Sequence, residues 1–219
     1  MTDEGKQEPH SLALPAEGEK LFAPSAERNT GPLCDLLDQV APRKGRALEI
    51  ASGTGQHVVA FAARLPGLTW QPTEPGPTRR ASIAAYVAES GLANIAPPIA
   101  LDATAPGWGA AHAGQALIFL ANLLHLIPMP RAETLIAEAA RALAPRGRLV
   151  IYGPFMRAGE LTSEGDRRFH AALVAEDPSI GYKDDFDVMD LMQGSGLDMV
   201  QVVEMPANNL ALVAERRAV

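Results

Sequence analysis

Apolar residues in this chain fall into two rhythms that take turns. Short apolar runs, ALEI at 47–50 and ALIFLA at 116–121, stand between longer stretches such as HVVAFAARL at 57–65, where apolar residues recur at three- and four-residue steps. The first rhythm predicts strands and the second predicts helices. Strands are expected at Arg46–Ile50, Leu68–Thr73, Ile99–Asp102, Ala116–Ala121 and Arg148–Tyr152, and helices at Gln56–Leu65, Thr78–Ser90 and Arg131–Leu143. Pro66-Gly67, Gly91 and Ala144-Pro145-Arg146-Gly147 supply the helix stops. Upstream, Ser25 reads as the N-cap of a helix through Leu33, Leu36, Leu37 and Val40 that breaks at Pro42-Arg43-Lys44-Gly45.

Strands that alternate with helices imply a parallel sheet with right-handed crossovers and helices on both faces. The last two strand-like runs, Met199–Met205 and Leu210–Arg216, have only Pro206-Ala207-Asn208-Asn209 between them. So short a link permits a hairpin and not a parallel crossover. The expected fold is therefore α/β: a Rossmann-like, doubly wound, seven-stranded sheet whose last strand is antiparallel. Residues 1–23 are polar and without period, and read as a flexible or loosely docked arm. Residues 24–219 read as one domain. Within it, 153–184 is an insert without strong periodicity at the carboxyl end of a strand, where lids are often found.

Composition narrows the class. With 47% hydrophobic residues in 219, the chain can build a large core. Nineteen Lys and Arg against 26 Asp and Glu leave a formal charge of −7, which argues against a nucleic acid partner. Cys34 is the one cysteine, so no internal disulfide can form, in keeping with a reducing cytoplasm. No apolar run approaches the ~20 residues of a membrane span, and MTDEGKQEPH lacks the basic-then-apolar order of a signal peptide. The expectation is a cytoplasmic protein, monomer or homodimer, with no membrane or nucleic acid partner. Asp184-Asp185-Asp187 resembles a metal-binding run but reads better as the start of a helix over Val188–Met192, and no metal is expected.

The chemistry concentrates in ALEIASGTGQH at 47–57. A strand carrying Glu49 breaks into the small-residue loop Ala51-Ser52-Gly53-Thr54-Gly55, followed by Gln56 and His57 at a helix start. Glycines let a ligand approach the backbone, and free N–H groups at the helix start favour an anionic group. Two nucleotide motifs are incomplete. The third glycine of a dinucleotide fingerprint is Val58 here, and the Gly-Lys-Ser/Thr end of a phosphate-binding loop is absent. Glu49 would repel a pyrophosphate by roughly 1 to 4 kcal/mol at about 4 Å, and would attract an ammonium or sulfonium group by as much. Glu74 ends the second strand, where a carboxylate can accept a pair of ribose hydroxyls, and Asp102 ends the third, where it can accept from a base amino group.

These residues resemble the class I S-adenosylmethionine-dependent methyltransferases. Glu49-x-Ala51-x-Gly53-x-Gly55 is similar to their first motif, with Ala51 in place of the usual first glycine. A narrower resemblance is to the DUF938 family, the group that includes the methyltransferase-like 26 proteins. It is carried by Ala26-Glu27-Arg28-Asn29, Ile50 to His57, Trp70-Gln71-Pro72, Tyr152-Gly153-Pro154-Phe155 and Met205 to Asn209. The resemblance implies methyl transfer from S-adenosyl-L-methionine. It implies a cofactor site formed by Glu49, Ala51, Ser52, Gly53, Thr54, Gly55, Gln56, His57, Glu74, Pro75, Asp102, Ala103 and Asn122, with Arg28 and Asn29 placed to close over the cofactor or to hold an acidic acceptor. The acceptor is left open and is expected to be a small molecule.

Candidates on the acceptor side follow the ends of the later strands. His125 could serve as a base, Asn122 could orient cofactor or acceptor, and Tyr152 could position the acceptor. Phe155, Phe169, His170 and Tyr182 of the insert could line an acceptor pocket, with Asn208 and Asn209 at the hairpin tip. Asn122-Leu123-Leu124-His125 does not read Asn-Pro-Pro-Tyr, the motif of methylation on base amines. Two other functions remain open: a module that binds S-adenosylmethionine or S-adenosylhomocysteine without turnover, and an NAD-dependent oxidoreductase.

Overall fold

The computed structural model describes residues 13–218. Six strands form the central sheet: β1 Gly45–Ile50, β2 Leu68–Pro72, β3 Gln115–Ala121, β4 Leu143–Gly153, β5 Leu197–Met205 and β6 Asn209–Arg216. Their spatial order is β2-β1-β3-β4-β6-β5. β2, β1, β3 and β4 run parallel, whereas β6 lies antiparallel to both β4 and β5. The doubly wound α/β architecture and the antiparallel last strand are as expected.

The strand count differs by one. The run expected as a strand at Ile99–Asp102 touches the edge of β2 through two isolated parallel bridges, Trp70 with Ile95 and Thr73 with Ile99. Hydrogen bonds resume on either side of a gap: Ala96 N to the Trp70 carbonyl, then Ile99 N to the Pro72 carbonyl. Pro97 and Pro98 fill that gap. Neither has an N–H to donate, so a continuous ladder cannot form.

The chief helices are α1 Pro24–Val40, α2 Gln56–Arg64, α3 Pro77–Ser90, α4 Trp108–Ala111, α5 Met129–Ala142, α6 Glu164–Glu176 and α7 Asp185–Gly194. α1 starts one residue before the expected cap. Ala23 is its N-cap and Pro24 its first residue, where the missing N–H costs nothing. The insert holds a full helix, α6, whose start is a reciprocal capping box between Ser163 and Asp166. Its hydrophobic stripe is thin, with Leu173 its one fully buried apolar residue, so no apolar period announces it. Asp184 caps α7 by accepting from Phe186 N, while Asp185 and Asp187 occupy its first turn. Residues 1–12 of the expected arm lie outside the described residues. Leu14–Pro15 and Leu21–Phe22 pair antiparallel. Lys20, Leu21 and Ala23 then bond to Glu89, Ser82 and Gln56.

Two cores cover the sheet. One face packs Leu33, Leu37, Phe61 and Ile83 from α1, α2 and α3 against Trp70, Leu117 and Phe119. The other packs Leu135, Ile136, Val188 and Met192 from α5 and α7 against Ile50, Leu120 and Ile151. α4 is too short to hold itself and is anchored by a buried carboxylate: Glu138 of α5 accepts from Gly109 N at 2.7 Å and pairs with Arg141 at 2.7 Å. Burial alone would raise the Glu138 carboxyl, but the N–H groups of Gly109 and Gly107, with Arg141, hold it below the usual range. Glu138→Ala is expected to lower stability by about 2 kcal/mol, since it orphans the Gly109 donor, with Glu138→Gln costing less; urea unfolding measures both.

Candidate functional site

The strand order reverses between β1 and β3. β1 passes to β2 on one side, β3 passes to β4 on the other, and the crevice at their carboxyl ends is where ligands bind in such sheets. The loop after β1 enters that crevice with Ala51 at φ 50°, Gly53 at φ 60° and Gly55 at φ 97°. Ala51 thus holds a left-handed conformation that favours glycine, at a cost of about 1 kcal/mol. The two glycines serve different needs. A Cβ on Gly53 would meet nothing nearer than the Ala51 carbonyl at 3.9 Å, so that face of the loop is open. A Cβ on Gly55 would lie 2.8 Å from Ile83 Cα, so α3 packs against the loop only because no side chain is there.

Glu49 lies beneath this loop, 2% exposed. Its neighbours are held by backbone: Thr73 N and Thr73 Oγ1 both donate to the Glu49 carbonyl, at 2.9 Å each. The carboxylate itself is less well served, since Oε2 is buried with no hydrogen-bond partner. Burial pushes the group up to about 8, against a hydrogen bond from Ser52 that favours the ion, and the nearby Glu74 adds to the rise. Glu74 is buried as well. Its Oε2 accepts from Gly53 N at 3.1 Å and its Oε1 from Gly76 N at 3.2 Å. Burial raises its carboxyl too, with these two N–H groups and Arg79 and Arg80 opposing. Pro75 between them is exposed.

Asp102 is exposed at the rim, its Oδ1 accepting from Thr104 N and Thr104 Oγ1 at 2.9 and 2.6 Å; these bonds hold its carboxyl below the usual range. Ala103 is buried, and its carbonyl accepts from Trp108 Nε1 at 3.0 Å. Gln56 ties the loop to the incoming chain, its Oε1 accepting from Ala23 N at 2.7 Å and Thr54 Oγ1 at 2.8 Å.

His57 faces inward. Its ring stacks on Phe61, and its Nε2 lies 2.7 Å from Asn29 Oδ1. Burial lowers it to about 4, so it is neutral at physiological pH, with a hydrogen bond to the Ala26 carbonyl pulling the other way. Through Asn29 the loop reaches Tyr152 on β4. Burial pushes that phenol up, while hydrogen bonds from Asn29 and Asn209 and the charge of Arg28 pull it back. Asn209 Nδ2 donates to Tyr152 Oη at 2.9 Å.

Tyr152 belongs to the wall of a cavity of about 640 Å³, which also gathers Ser25, Arg28 and Asn29 of α1, Asn122 and His125 after β3, Pro154, Phe169 and Tyr182 of the insert, and Pro206, Ala207 and Asn209 of the hairpin tip. That volume suits a small molecule. Asn122 turns the chain at φ 56°, its N–H on the Tyr152 carbonyl at 2.8 Å. His125 is buried against the rings of Phe169 and Tyr182, at 5.6 and 6.3 Å between centroids.

Two expected acceptor residues stand elsewhere. Phe155 is 2% exposed and packs in the core on the α5 side, because β4 continues its inward-facing alternation past Gly153. Asn208 braces the insert, its Nδ2 donating to Thr162 Oγ1 at 2.7 Å and Asp166 Oδ2 at 2.5 Å. Asp166, unforeseen from the sequence, also accepts from Tyr182 Oη at 3.1 Å and so fixes one wall of the cavity. Its capping-box spacing from Ser163 was the one available signal. Among the described residues no three His, Cys, Asp or Glu are grouped to hold a metal, and no helix is long and apolar enough to cross a membrane.

The chain matches, over residues 20–216, the family described as a protein of unknown function, DUF938. It belongs to that family. Solved structures with the same fold include an O-methyltransferase family protein from Burkholderia thailandensis, at TM-score 0.77 and 17% identity over 89% of this chain and 58% of that one. Human N-acetylserotonin methyltransferase in complex with SAM gives 0.69 and 13%, over 89% and 53%. An O-methyltransferase family 2 protein from Planctomyces limnophilus, in complex with apigenin, gives 0.69 and 20%, over 88% and 61%. At such identities the likeness is one of fold, and this DUF938 chain spans little more than half the length of those proteins.

The buried Glu49 carries a pH signature. Between the ordinary carboxylate value of 4.5 and about 8, the unfolded chain has released this proton while the folded protein keeps it. The contribution is whole below 4.5 and is lost as pH rises toward 8, by about 1.4 kcal/mol per pH unit at most. Stability measured by urea unfolding should fall from pH 5 to pH 8, and Glu49→Gln should flatten that fall.

Proposed function

We propose that this protein is a methyltransferase that uses S-adenosyl-L-methionine and acts on a small-molecule acceptor. The observation that carries the reading is the orphaned Oε2 of Glu49, buried under the open face of a glycine loop at the sheet's reversal point. A buried carboxylate without a partner favours a ligand that brings a cation to it. S-adenosylmethionine offers an ammonium and a sulfonium, whereas a dinucleotide would bring its pyrophosphate against Glu49. The SAM bound to the human neighbour and the apigenin bound to the planctomycete one accord with both halves of the reading.

When bound, the cofactor supplies a methyl carbon on a positively charged sulfur, already activated toward a nucleophile. Glu49 would hold the ammonium, Glu74 the ribose hydroxyls, and Asp102 with the backbone of Ala103 the adenine edge. The Gly53 face would admit the chain of the ligand close to the backbone. On the acceptor side, Tyr152, Asn122 and Asn209 present polar groups that fix an acceptor's orientation. Alignment of this kind supplies most of what a displacement on an activated carbon needs. A hydroxyl acceptor must also lose its proton, and His125 in the same wall is the group to receive it.

Calorimetry should show S-adenosylmethionine binding in the micromolar range, abolished in Gly53→Arg and weakened about tenfold or more in Glu49→Gln, a change of roughly 1.4 kcal/mol. Unchanged affinity in both variants would remove the site assignment. With an acceptor in hand, His125→Asn is expected to lower kcat about a hundredfold while leaving KM within a few-fold. Equal loss in His125→Asn at every pH between 6 and 9 would point to packing and not proton transfer.

A further inference from the structure

The cavity beside the proposed cofactor loop has a charge pattern of its own. Of the residues that line it, Arg28 is the one formal charge, and no carboxylate is among them. Among the described residues Arg28 forms no ion pair, unlike Arg64, Arg141, Arg148 and Arg157, which each have an acid within reach. Arg28 is itself exposed, at the open side of the cavity, and its charge is felt at the Tyr152 phenol. Part of the wall is made of rings. His125, Phe169 and Tyr182 meet edge to face, with Phe169 and Tyr182 6.0 Å apart between centroids. The carboxylate nearest that wall, Asp166, is already taken up by Ser163, Asn208 and Tyr182. A ring wall can also hold a cation. Here the Arg28 guanidinium opposes a cation, and the Asp166 carboxylate already accepts three hydrogen-bond partners.

We propose that the acceptor is a hydroxylated aromatic acid, its ring against Phe169 and Tyr182 and its acidic group on Arg28. The inference rests on the methyltransferase reading and deepens it. A planar guanidinium matches a carboxylate with two parallel N–H donors, and aromatic walls favour a flat ring. The carboxylate of S-adenosylmethionine is a second source of the same chemistry. Asn29 and Asn122 of the expected cofactor set share this wall with Arg28, but so do His125, Tyr152, Phe169 and Tyr182, while none of Gly53, Glu74 or Asp102 does, and that company favours the acceptor.

The test titrates the protein, saturated with S-adenosylhomocysteine, with 4-hydroxybenzoate, 4-hydroxybenzamide and tyramine, following binding by calorimetry. The acid is expected to bind at least tenfold more tightly than the amide, and tyramine least. In Arg28→Gln the acid should lose that tenfold advantage, and Arg28→Lys should restore part of it. S-adenosylhomocysteine affinity should stay within twofold in both variants. Equal binding of acid and amide, or binding of none of the three, would overturn the proposal. So would an Arg28→Gln variant that loses S-adenosylhomocysteine affinity and keeps the preference for the acid, which would assign Arg28 to the cofactor. Failure of the unmodified protein to bind S-adenosylhomocysteine at all would instead count against the methyltransferase reading.

Discussion

A carboxylate buried where the sheet reverses its strand order sets the terms for everything around it. Removing Glu49 from water without a cation is costly, and the group answers by holding its proton toward about 8. The backbone around it is bonded to hold that position. Ser52 and Thr73 exchange hydrogen bonds across the ends of β1 and β2, and Gly55 N returns to the Ser52 carbonyl. The loop has little freedom to relax onto the unsatisfied oxygen. What remains is a rigid cradle with one unmet acceptor, which is the condition under which a cationic ligand gains most from binding.

The same loop organises the rest of the site through short side-chain links. Ser82 of α3 accepts from Leu21 N and donates to the Thr54 carbonyl, so the entering chain is bound to the loop. His57 and Gln56 do the same for α1. Because His57 is neutral and buried, its bond to Asn29 does not switch within the physiological range. Asn29 carries the connection on to Tyr152, and Asn209 completes it. The loop and the cavity wall thus share one hydrogen-bonded frame.

The cavity draws on six separated stretches of chain, and its insert wall is braced from behind. Asp166 receives Ser163, Tyr182 and Asn208 together, and Arg157 reaches Glu204 of β5 at 2.8 Å. Phe155–Met156 and Lys183–Asp184 close the base of the insert as a parallel pair. Lys183 is buried there with the Gly181 carbonyl as its acceptor, and burial lowers its ammonium to about 8. The insert is therefore docked on the hairpin tip and not loose over the site.

The local pattern of residues alone determined the strands and helices of the sheet domain, because apolar periodicity and Gly–Pro punctuation are local signals. It also determined the glycine loop with its three acids, because strand ends and small residues are legible in order along the chain. The strand at Ile99–Asp102 was lost to Pro97 and Pro98, whose missing donors matter only where an edge must be paired. α6 was hidden because its stability comes from a capping box and from docking, with little apolar stripe to read. Only the tertiary structure turned His57 inward to Asn29, sent Phe155 into the core, put Asn208 behind the wall and Asn209 in it, and set Arg28, without an ion pair among the described residues, in one cavity with rings 141 and 154 positions away. Those outcomes depend on which side chains meet across the fold, and sequence spacing carries no record of such meetings.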